Sequence, residues 1–155
     1  MNMNLDLTKL QLALDGDTGI VVRRDFTHPP ASVWRALTEP ALIRQWLTAE
    51  DGLQRCEMDP RPGGSFHYAW AEFAFSGPIL AVEAPHHLTH VEHFSGDASY
   101  DVEITTDLSA RGTGTRMTQV MRYATAEARA AAIAGGMTDG FEDVYGRLEG
   151  LRITD

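Results

Sequence analysis

The chain has 155 residues and a formal net charge of −9 at pH 7, with 43% hydrophobic and 23% charged residues, which suits one globular domain over residues 1–155. This charge, without a cluster of Lys and Arg, disfavours nucleic acid as a partner, and no run approaches the roughly 20 apolar residues that span a membrane. The N-terminus resembles no secretion signal, and Cys56, the one cysteine, cannot form an internal disulfide, so a cytoplasmic location is expected.

The N-terminal segment contains two short patterns that favour strands. An apolar run beginning at Ile20 predicts a strand from Gly19 to Phe26. Ahead of the turn DGDTG, leucines alternate at positions 10, 12 and 14, which is typical of an edge strand paired with the strand from Gly19 to Phe26. A helix from Asp6 to Leu14 is nearly as plausible, so residues 1–18 are expected to add either a strand or a helix.

Two prolines mark the starts of two short amphipathic helices. Pro30 suits the first helical position, where its missing N–H would have no partner, and Val33, Trp34 and Leu37 then share one face. Pro40 begins the second helix, whose apolar stripe consists of Leu42, Ile43, Trp46 and Leu47. The first main strand is therefore followed by two short helices.

The middle of the chain predicts an antiparallel meander. Turn signals separate the segments Leu53–Met58, Phe66–Trp70, Ile79–Val82, Leu88–Phe94, Asp101–Leu108 and Met117–Tyr123. In the clearest of them, apolar residues and Thr106 alternate with Asp101, Glu103, Thr105 and Asp107. One face of the sheet should therefore be in contact with solvent and the other with an apolar layer.

The C-terminal segment predicts a long helix with an interruption. Thr125 can cap an alanine-rich helix that reaches Ala134, and Gly135-Gly136 should introduce a kink. Beyond it, the apolar stripe contains Met137, Phe141, Val144, Tyr145, Leu148 and Leu151, opposite the acidic residues Asp139, Glu142, Asp143 and Glu149. The inner face of the sheet is the apolar partner large enough to cover this stripe.

The order of these elements and several short motifs resemble the activator of Hsp90 ATPase homologue family, within the START-like, Bet v 1-like (SRPBCC) superfamily. The motifs are Arg24 and Phe26 before HPP, VWRALTEP with Trp46, CEMDPRPGG, SGPILAVEAP with Leu88, GTRMT, and the pairs Gly136-Met137 and Gly140-Phe141. The resemblance implies an α+β helix-grip fold, in which a curved antiparallel sheet wraps around a long C-terminal helix and an internal cavity lies between them. The sequence departs from the family pattern at His28, at Phe141 and in the hairpin from Trp70 to Phe75.

The alternation, the helical stripe and the resemblance together predict residues that line a cavity. They are Trp46, Phe66, Tyr68, Trp70, Met117, Gln119, Met137, Phe141 and Tyr145. Each residue alone is more often part of a core than a ligand contact, but the set favours binding of a small, largely apolar molecule. Gln119 could orient a polar group of that molecule, although a register shift of one residue would turn it to solvent.

Two other functional classes stay open. A cavity-based enzyme of the cyclase, dehydratase or hydrolase type would have Tyr68, Gln119 and Tyr145 as its acid–base candidates, and a non-catalytic protein is the preferred alternative. A protein-interaction module would use exposed apolar surface, as a homodimer or in contact with a chaperone. Chaperone contact is the weaker expectation, because the co-chaperone that gives the family its name has a further N-terminal domain for much of that contact.

The sequence contains no motif for a cofactor, and no metal is expected. RPGG lacks the Lys and Ser or Thr that follow a phosphate-binding loop. Along one strand, His87 and His93 share a face that His90 and Glu92 do not, so three metal ligands do not converge. The histidines of this segment are interpreted as surface residues.

Overall fold

The protein is described by a computed structural model that covers residues 6–49, 52–95 and 97–154, so residues 1–5 of the predicted N-terminal element lie outside the described residues. Its elements in chain order are β1 Gln11–Asp15, β2 Gly19–Phe26, α1 Pro30–Thr38, α2 Pro40–Trp46, β3 Arg55–Met58, β4 Ser65–Ala69, β5 Ala74–Glu83, β6 His87–Phe94, β7 Asp97–Arg111, β8 Gly114–Tyr123, α3 Ala126–Ala134 and α4 Phe141–Glu149. This is an α+β fold. No described helix combines the length and apolar character needed to cross a membrane.

The eight strands form one curved antiparallel sheet in the order β1-β2-β8-β7-β6-β5-β4-β3. Each of β3 to β7 pairs with the next strand in sequence, as in a meander, and β8 then returns to pair with β2. β1 pairs with β2 at the far edge, so the N-terminal segment forms the strand and not the alternative helix. The sheet and its helices are consistent with the helix-grip architecture.

Both short helices begin at the predicted prolines and pack under the sheet. Their side chains Val33, Ala36, Ile43 and Trp46 belong to a buried cluster that also contains residues of β2, β7, β8 and α4. The Trp46 Nε1–H donates to the Ala36 carbonyl oxygen at 2.8 Å, which holds the two helices together. These helices therefore close one end of the space between the sheet and α4.

β5 differs from its prediction, because it runs continuously through Gly77 and Pro78. Both residues pair with β4, and the missing N–H of proline coincides with a gap in the pairing to β6. Gly77 is required there, since a Cβ atom at this position would lie 1.8 Å from the Val91 carbonyl oxygen. The Gly-Pro pair therefore allows close approach of β6 instead of ending the strand.

The C-terminal segment is also different from the expected long helix. Thr125 caps α3 as predicted, by accepting a hydrogen bond from the Ala128 N–H at 3.0 Å. α3 then ends, and a turn with Gly136 at φ +87° leads into α4, which is a separate helix of nine residues. The apolar stripe is thus divided between a turn and a helix, and both parts face the sheet.

Two residues on the acidic side of α4, Glu142 and Glu149, contact a buried arginine. Arg24 of β2 has a side chain that is 5% exposed, and its Nε and Nη2 atoms donate to the two carboxylate oxygens of Glu142 at 3.1 and 3.0 Å. Glu142 also accepts the Leu10 N–H at 2.7 Å, and Glu149 lies 3.7 Å from Arg24. These contacts attach α4 to β2 and to the segment before β1.

The other end of α4 is attached to the segment after β2. The side chain of Glu149 accepts hydrogen bonds from the backbone N–H and the hydroxyl group of Thr27. The Nε2 atom of His28 lies 3.0 Å from the Glu149 carbonyl oxygen, so the departure from the family pattern at this position contributes a helix contact. Polar contacts therefore fix both ends of α4.

We predict that Arg24→Met lowers the free energy of unfolding by about 2 to 3 kcal/mol, because it leaves two carboxylates without their cation. Both carboxylates are partly exposed, so the loss should be smaller than for a fully buried pair. Urea unfolding at pH 7 measures this change. The matched control is Arg55→Met, which removes an exposed ion pair with Glu57 and should leave the free energy of unfolding close to that of the wild type. Equal effects of the two substitutions would contradict the structural role given to Arg24.

Candidate functional site

A cavity of about 460 Å³ lies between the inner face of the sheet and α4. Its walls come from α1, α2, the strands β3 to β8, the turn between α3 and α4, and α4 itself. The lining residues are Leu37, Trp46, Leu47, Met58, Phe66, Tyr68, Trp70, Phe73, Phe75, Leu88, His90, Glu92, Ile104, Thr106, Gln119, Met121, Gly136, Met137, Gly140, Phe141, Val144 and Tyr145. Most of them are aromatic or aliphatic, and six carry a polar side-chain group besides the tryptophans.

The structure brings the predicted cavity residues together, with the exception of Met117. That side chain is fully buried among Phe26, Leu108 and Leu148, and it does not line the cavity. Met121 lies four residues further along β8 and points to the same side of the sheet, and it lines the cavity instead. The alternation predicted the correct face of β8 but not where the core ends and the cavity begins. Ligand contact by the lining residues stays a prediction.

A chain of polar side chains crosses one wall of the cavity. The register of β8 turns Gln119 inward, where its Nε2 donates to the Thr106 hydroxyl at 3.1 Å. The Tyr145 hydroxyl of α4 donates to Gln119 Oε1 at 2.8 Å. Gln119 therefore connects the sheet to α4, and its amide is held in one orientation by partners on both sides.

Two further polar residues of the cavity, His90 and Glu92, were not identified from the sequence. They lie on β6 with Leu88, on the face that points inward, so the interpretation of His90 as a surface residue is wrong. The apolar Leu88 two residues before His90 was the available signal, because side chains at i, i+2 and i+4 of a strand share one face. The cluster of four histidines in this segment obscured that pattern.

Burial changes the acid–base properties of these two residues. Desolvation raises the pKa of Glu92 from 4.5 to about 7 and lowers the pKa of His90 from 6.5 to about 4. His90 is therefore neutral at physiological pH, and its Nδ1 atom has no hydrogen-bond partner among the described residues. Glu92 is the cavity group that can take up or release a proton near neutrality.

The two phenols of the cavity cannot act as bases near neutral pH. Burial raises the pKa of Tyr68 and that of Tyr145 well above the ordinary value, and the negative charge of Glu92 adds to both shifts. Both hydroxyls therefore stay protonated and act as hydrogen-bond donors. Gln119 does not titrate, so the acid–base candidates from the sequence provide orientation and hydrogen bonds.

The other histidines of β6 point away from the cavity. His87 and His93 pair across the outer face with Asp107 and Asp101, at 2.7 and 2.9 Å between the ring Nδ1 and a carboxylate oxygen. In the part of the chain that the structure describes, no three His, Cys, Asp or Glu side chains form a group that could hold a metal ion. Asp101 and Asp107 of β7 thus form ion pairs on the outer face of the sheet.

An aromatic hairpin lies where the cavity meets solvent. The rings of Trp70 and Phe73, at the turn between β4 and β5, stack with centroids 4.8 Å apart. The backbone N–H of Trp70 donates to the Phe73 carbonyl oxygen at 2.9 Å. Phe73 lines the cavity and is still 37% exposed. The hairpin in which the sequence departs from the family pattern therefore forms part of the cavity rim.

Comparisons with known proteins agree with this architecture. The family model described as "Activator of Hsp90 ATPase homolog 1-like protein" matches residues 27–151. A protein of Rhodobacter sphaeroides with a crystal structure is 30% identical, with a TM-score of 0.83 over 92% of this chain and 96% of that chain. Protein MLL2253 of Mesorhizobium loti is 27% identical, with a TM-score of 0.70 over 85% and 94% of the two chains.

A third solved structure shows the same fold at lower identity. Protein Ms6760 of Mycobacterium smegmatis is 22% identical, with a TM-score of 0.81 over 90% of this chain and 94% of that chain. None of the curated proteins compared with the sequence is significantly similar to it. The comparisons therefore support the architecture and name no ligand.

We predict that Glu92→Gln stabilises the protein in a pH-dependent manner. The folded-state pKa of about 7 lies above the usual 4.5, so the stability that the protonated carboxyl contributes is present below pH 4.5 and is lost as the pH rises through 7. At pH 8 the free energy of unfolding of the variant should be up to about 3 kcal/mol higher than that of the wild type, and at pH 4.5 the difference should be near zero. Chemical unfolding at the two pH values measures this.

The control for this experiment is Glu103→Gln on the exposed face of β7. That substitution should change the stability by less than about 0.5 kcal/mol at either pH. A stabilisation by Glu92→Gln that is the same at pH 4.5 and pH 8 would contradict the raised pKa.

Proposed function

Because the chain belongs to the activator of Hsp90 ATPase homolog 1-like family, whose fold suggests a ligand-binding cavity, we propose that it binds a small, largely apolar molecule between the sheet and α4. The observation that carries this proposal is the cavity of about 460 Å³ with apolar walls and a few fixed polar groups. Pockets for small ligands typically measure roughly 300–1,000 Å³ and combine these two properties.

The size of the cavity supports a binding role on energetic grounds. Cavities created by mutation cost roughly 24 cal/mol per Å³, and extrapolation to this volume gives about 10 kcal/mol. That amount is comparable to the whole net stability of a typical domain, which is about 5–15 kcal/mol. Water would fill the space at the polar wall, but the aromatic and aliphatic remainder offers it few hydrogen-bond partners. A largely apolar ligand with one polar group satisfies both regions.

The lining indicates the general form of the ligand. The aromatic side chains Trp46, Phe66, Phe75 and Phe141 suit a hydrocarbon or aromatic body. Gln119 donates a hydrogen bond to Thr106 and accepts one from Tyr145, so this wall is a pre-organised polar surface. We expect a molecule with one apolar body and one polar end.

A second candidate function is acid–base catalysis in the same cavity, and Glu92 is the observation that favours it. A buried carboxyl with a pKa of about 7 is suited to proton transfer near neutral pH. Tyr68 and Tyr145 would then act as hydrogen-bond donors to the substrate. Mass spectrometry of the bound molecule before and after incubation distinguishes the two functions, because binding leaves its mass and structure unchanged and catalysis alters one of them.

We predict that the neutral fluorescent probe N-phenyl-1-naphthylamine binds in the cavity and that Val144→Trp weakens its binding at least about tenfold. Val144 lines the cavity, so a larger side chain there occupies ligand space. Probe fluorescence on titration with protein measures the dissociation constant. Native mass spectrometry of protein purified from its own cells should also reveal a co-purifying small molecule.

The matched control is Leu80→Trp, because Leu80 is 45% exposed and does not line the cavity. It should bind the probe like the wild type. Thermal unfolding of both variants shows whether they are folded. Equal probe affinity for the two folded variants, or no probe binding by the wild type, would overturn the proposed location of the site.

A further inference from the structure

We infer that the cavity selects an organic cation, a hydrophobic amine in its protonated form, over neutral and anionic molecules of the same shape. This inference rests on the proposed function and adds the chemical class of the ligand. It is argued from the charges of the lining, the hydrogen bonds around Glu92 and the aromatic walls.

The charge of the cavity comes from one side chain. Among the described lining residues, Glu92 is the group that can carry a formal charge at neutral pH, and there is no Lys or Arg. The arginines on neighbouring elements are occupied elsewhere, since Arg24 binds Glu142 and Arg147 Nε donates to the Trp46 carbonyl oxygen at 3.0 Å. A carboxylate ligand would therefore meet a negative charge without a compensating cation.

The carboxyl group of Glu92 lacks a partner within the protein. No hydrogen bond or ion pair between described residues involves this carboxyl group, desolvation is the cause of its raised pKa, and it borders the cavity. The nearby hydroxyls with known partners donate elsewhere, Tyr145 to Gln119 Oε1 at 2.8 Å and Tyr123 to the sulfur of Met137 at 2.7 Å. A buried carboxylate in this state is satisfied by a donor that enters the cavity, and an ammonium group supplies several N–H donors with opposite charge.

The walls around this carboxyl suit a cation. Tyr68 and Tyr145 face Glu92 from β4 and α4, and the Tyr145 ring stacks on Trp46 with centroids 5.8 Å apart. The Phe66 ring lies 5.1 Å from that of Tyr68. Aromatic faces attract cations through their quadrupole, while the same rings bury the apolar part of a ligand. An aromatic enclosure with one acid is the chemistry that recognises amines.

Four other titratable groups face Glu92, and none of them changes its charge near neutral pH. They are Tyr68 on β4, Tyr123 on β8, Tyr145 on α4, and His90 on its own strand. Burial keeps all three phenols protonated, and the pKa of His90 is about 4. Selection of an amine should therefore increase between pH 6 and pH 8, as Glu92 ionises with a pKa of about 7.

The test uses three probes with one aromatic body: 2-(1-naphthyl)ethylamine, 2-(1-naphthyl)ethanol and 1-naphthylacetate. Isothermal titration calorimetry at pH 8 should give an affinity for the amine that exceeds that for the alcohol at least about tenfold, because its hydrogen bond to Glu92 joins two charged groups. The acetate should bind more weakly than the alcohol. At pH 6 the amine should bind up to roughly tenfold more weakly than at pH 8, because a group with a pKa near 7 is mostly protonated at pH 6.

Two variants assign this preference to Glu92. Glu92→Gln should reduce the ratio of amine to alcohol affinity to near one and remove its pH dependence, whereas Glu103→Gln on the outer face of β7 should keep the wild-type ratio. Equal affinities of the wild type for amine and alcohol, or a preference that survives Glu92→Gln, would overturn this inference. The proposed function would still stand if the wild type binds the alcohol and Val144→Trp weakens that binding. Absence of binding by all three probes would overturn both.

Discussion

The position of α4 depends on Arg24, a buried cation that is held by carboxylates of this helix. Polar contacts along one side of the helix fix its distance from β2, and Glu149 with Thr27 and His28 fixes its C-terminal end. The opposite side, with Phe141, Val144 and Tyr145, therefore does not need to collapse onto the sheet. An attachment by directional bonds leaves the cavity open, whereas an attachment by apolar packing alone would favour closure.

The polar residues of the cavity fall into two groups with different physical roles. Gln119, Thr106 and Tyr145 satisfy one another and form a rigid wall between β8, β7 and α4. No side-chain hydrogen bond between described residues involves His90 or Glu92 on β6. Desolvation lowers the pKa of His90 and raises that of Glu92, and both shifts favour the neutral form. Satisfied groups stabilise the fold, while unsatisfied buried groups reduce its stability and are typical of functional sites.

Much of the fold follows from local pattern, because period-two alternation and proline positions determine strand faces and helix starts. The inward faces of β7 and β8, both short helices and the Thr125 cap were predictable in this way. The break before α4, the passage of β5 through Gly77-Pro78, and the bond between Arg24 and Glu142 were not, because they depend on contacts between segments distant in sequence. The position of Glu92 in the cavity could not be predicted from the pattern, because a strand with several histidines has no clear apolar face.

Under the proposed binding function, the unpartnered Glu92 would connect the lifetime of the protein to its ligand. Binding to the folded state raises the free energy of unfolding with increasing ligand concentration, and the increase is the same for global unfolding and for any opening that destroys the site. Chains without ligand would open more often and be degraded faster by proteases, since proteolysis follows the population of open forms. If the proposed function holds, the amount of this protein would then report the supply of its ligand.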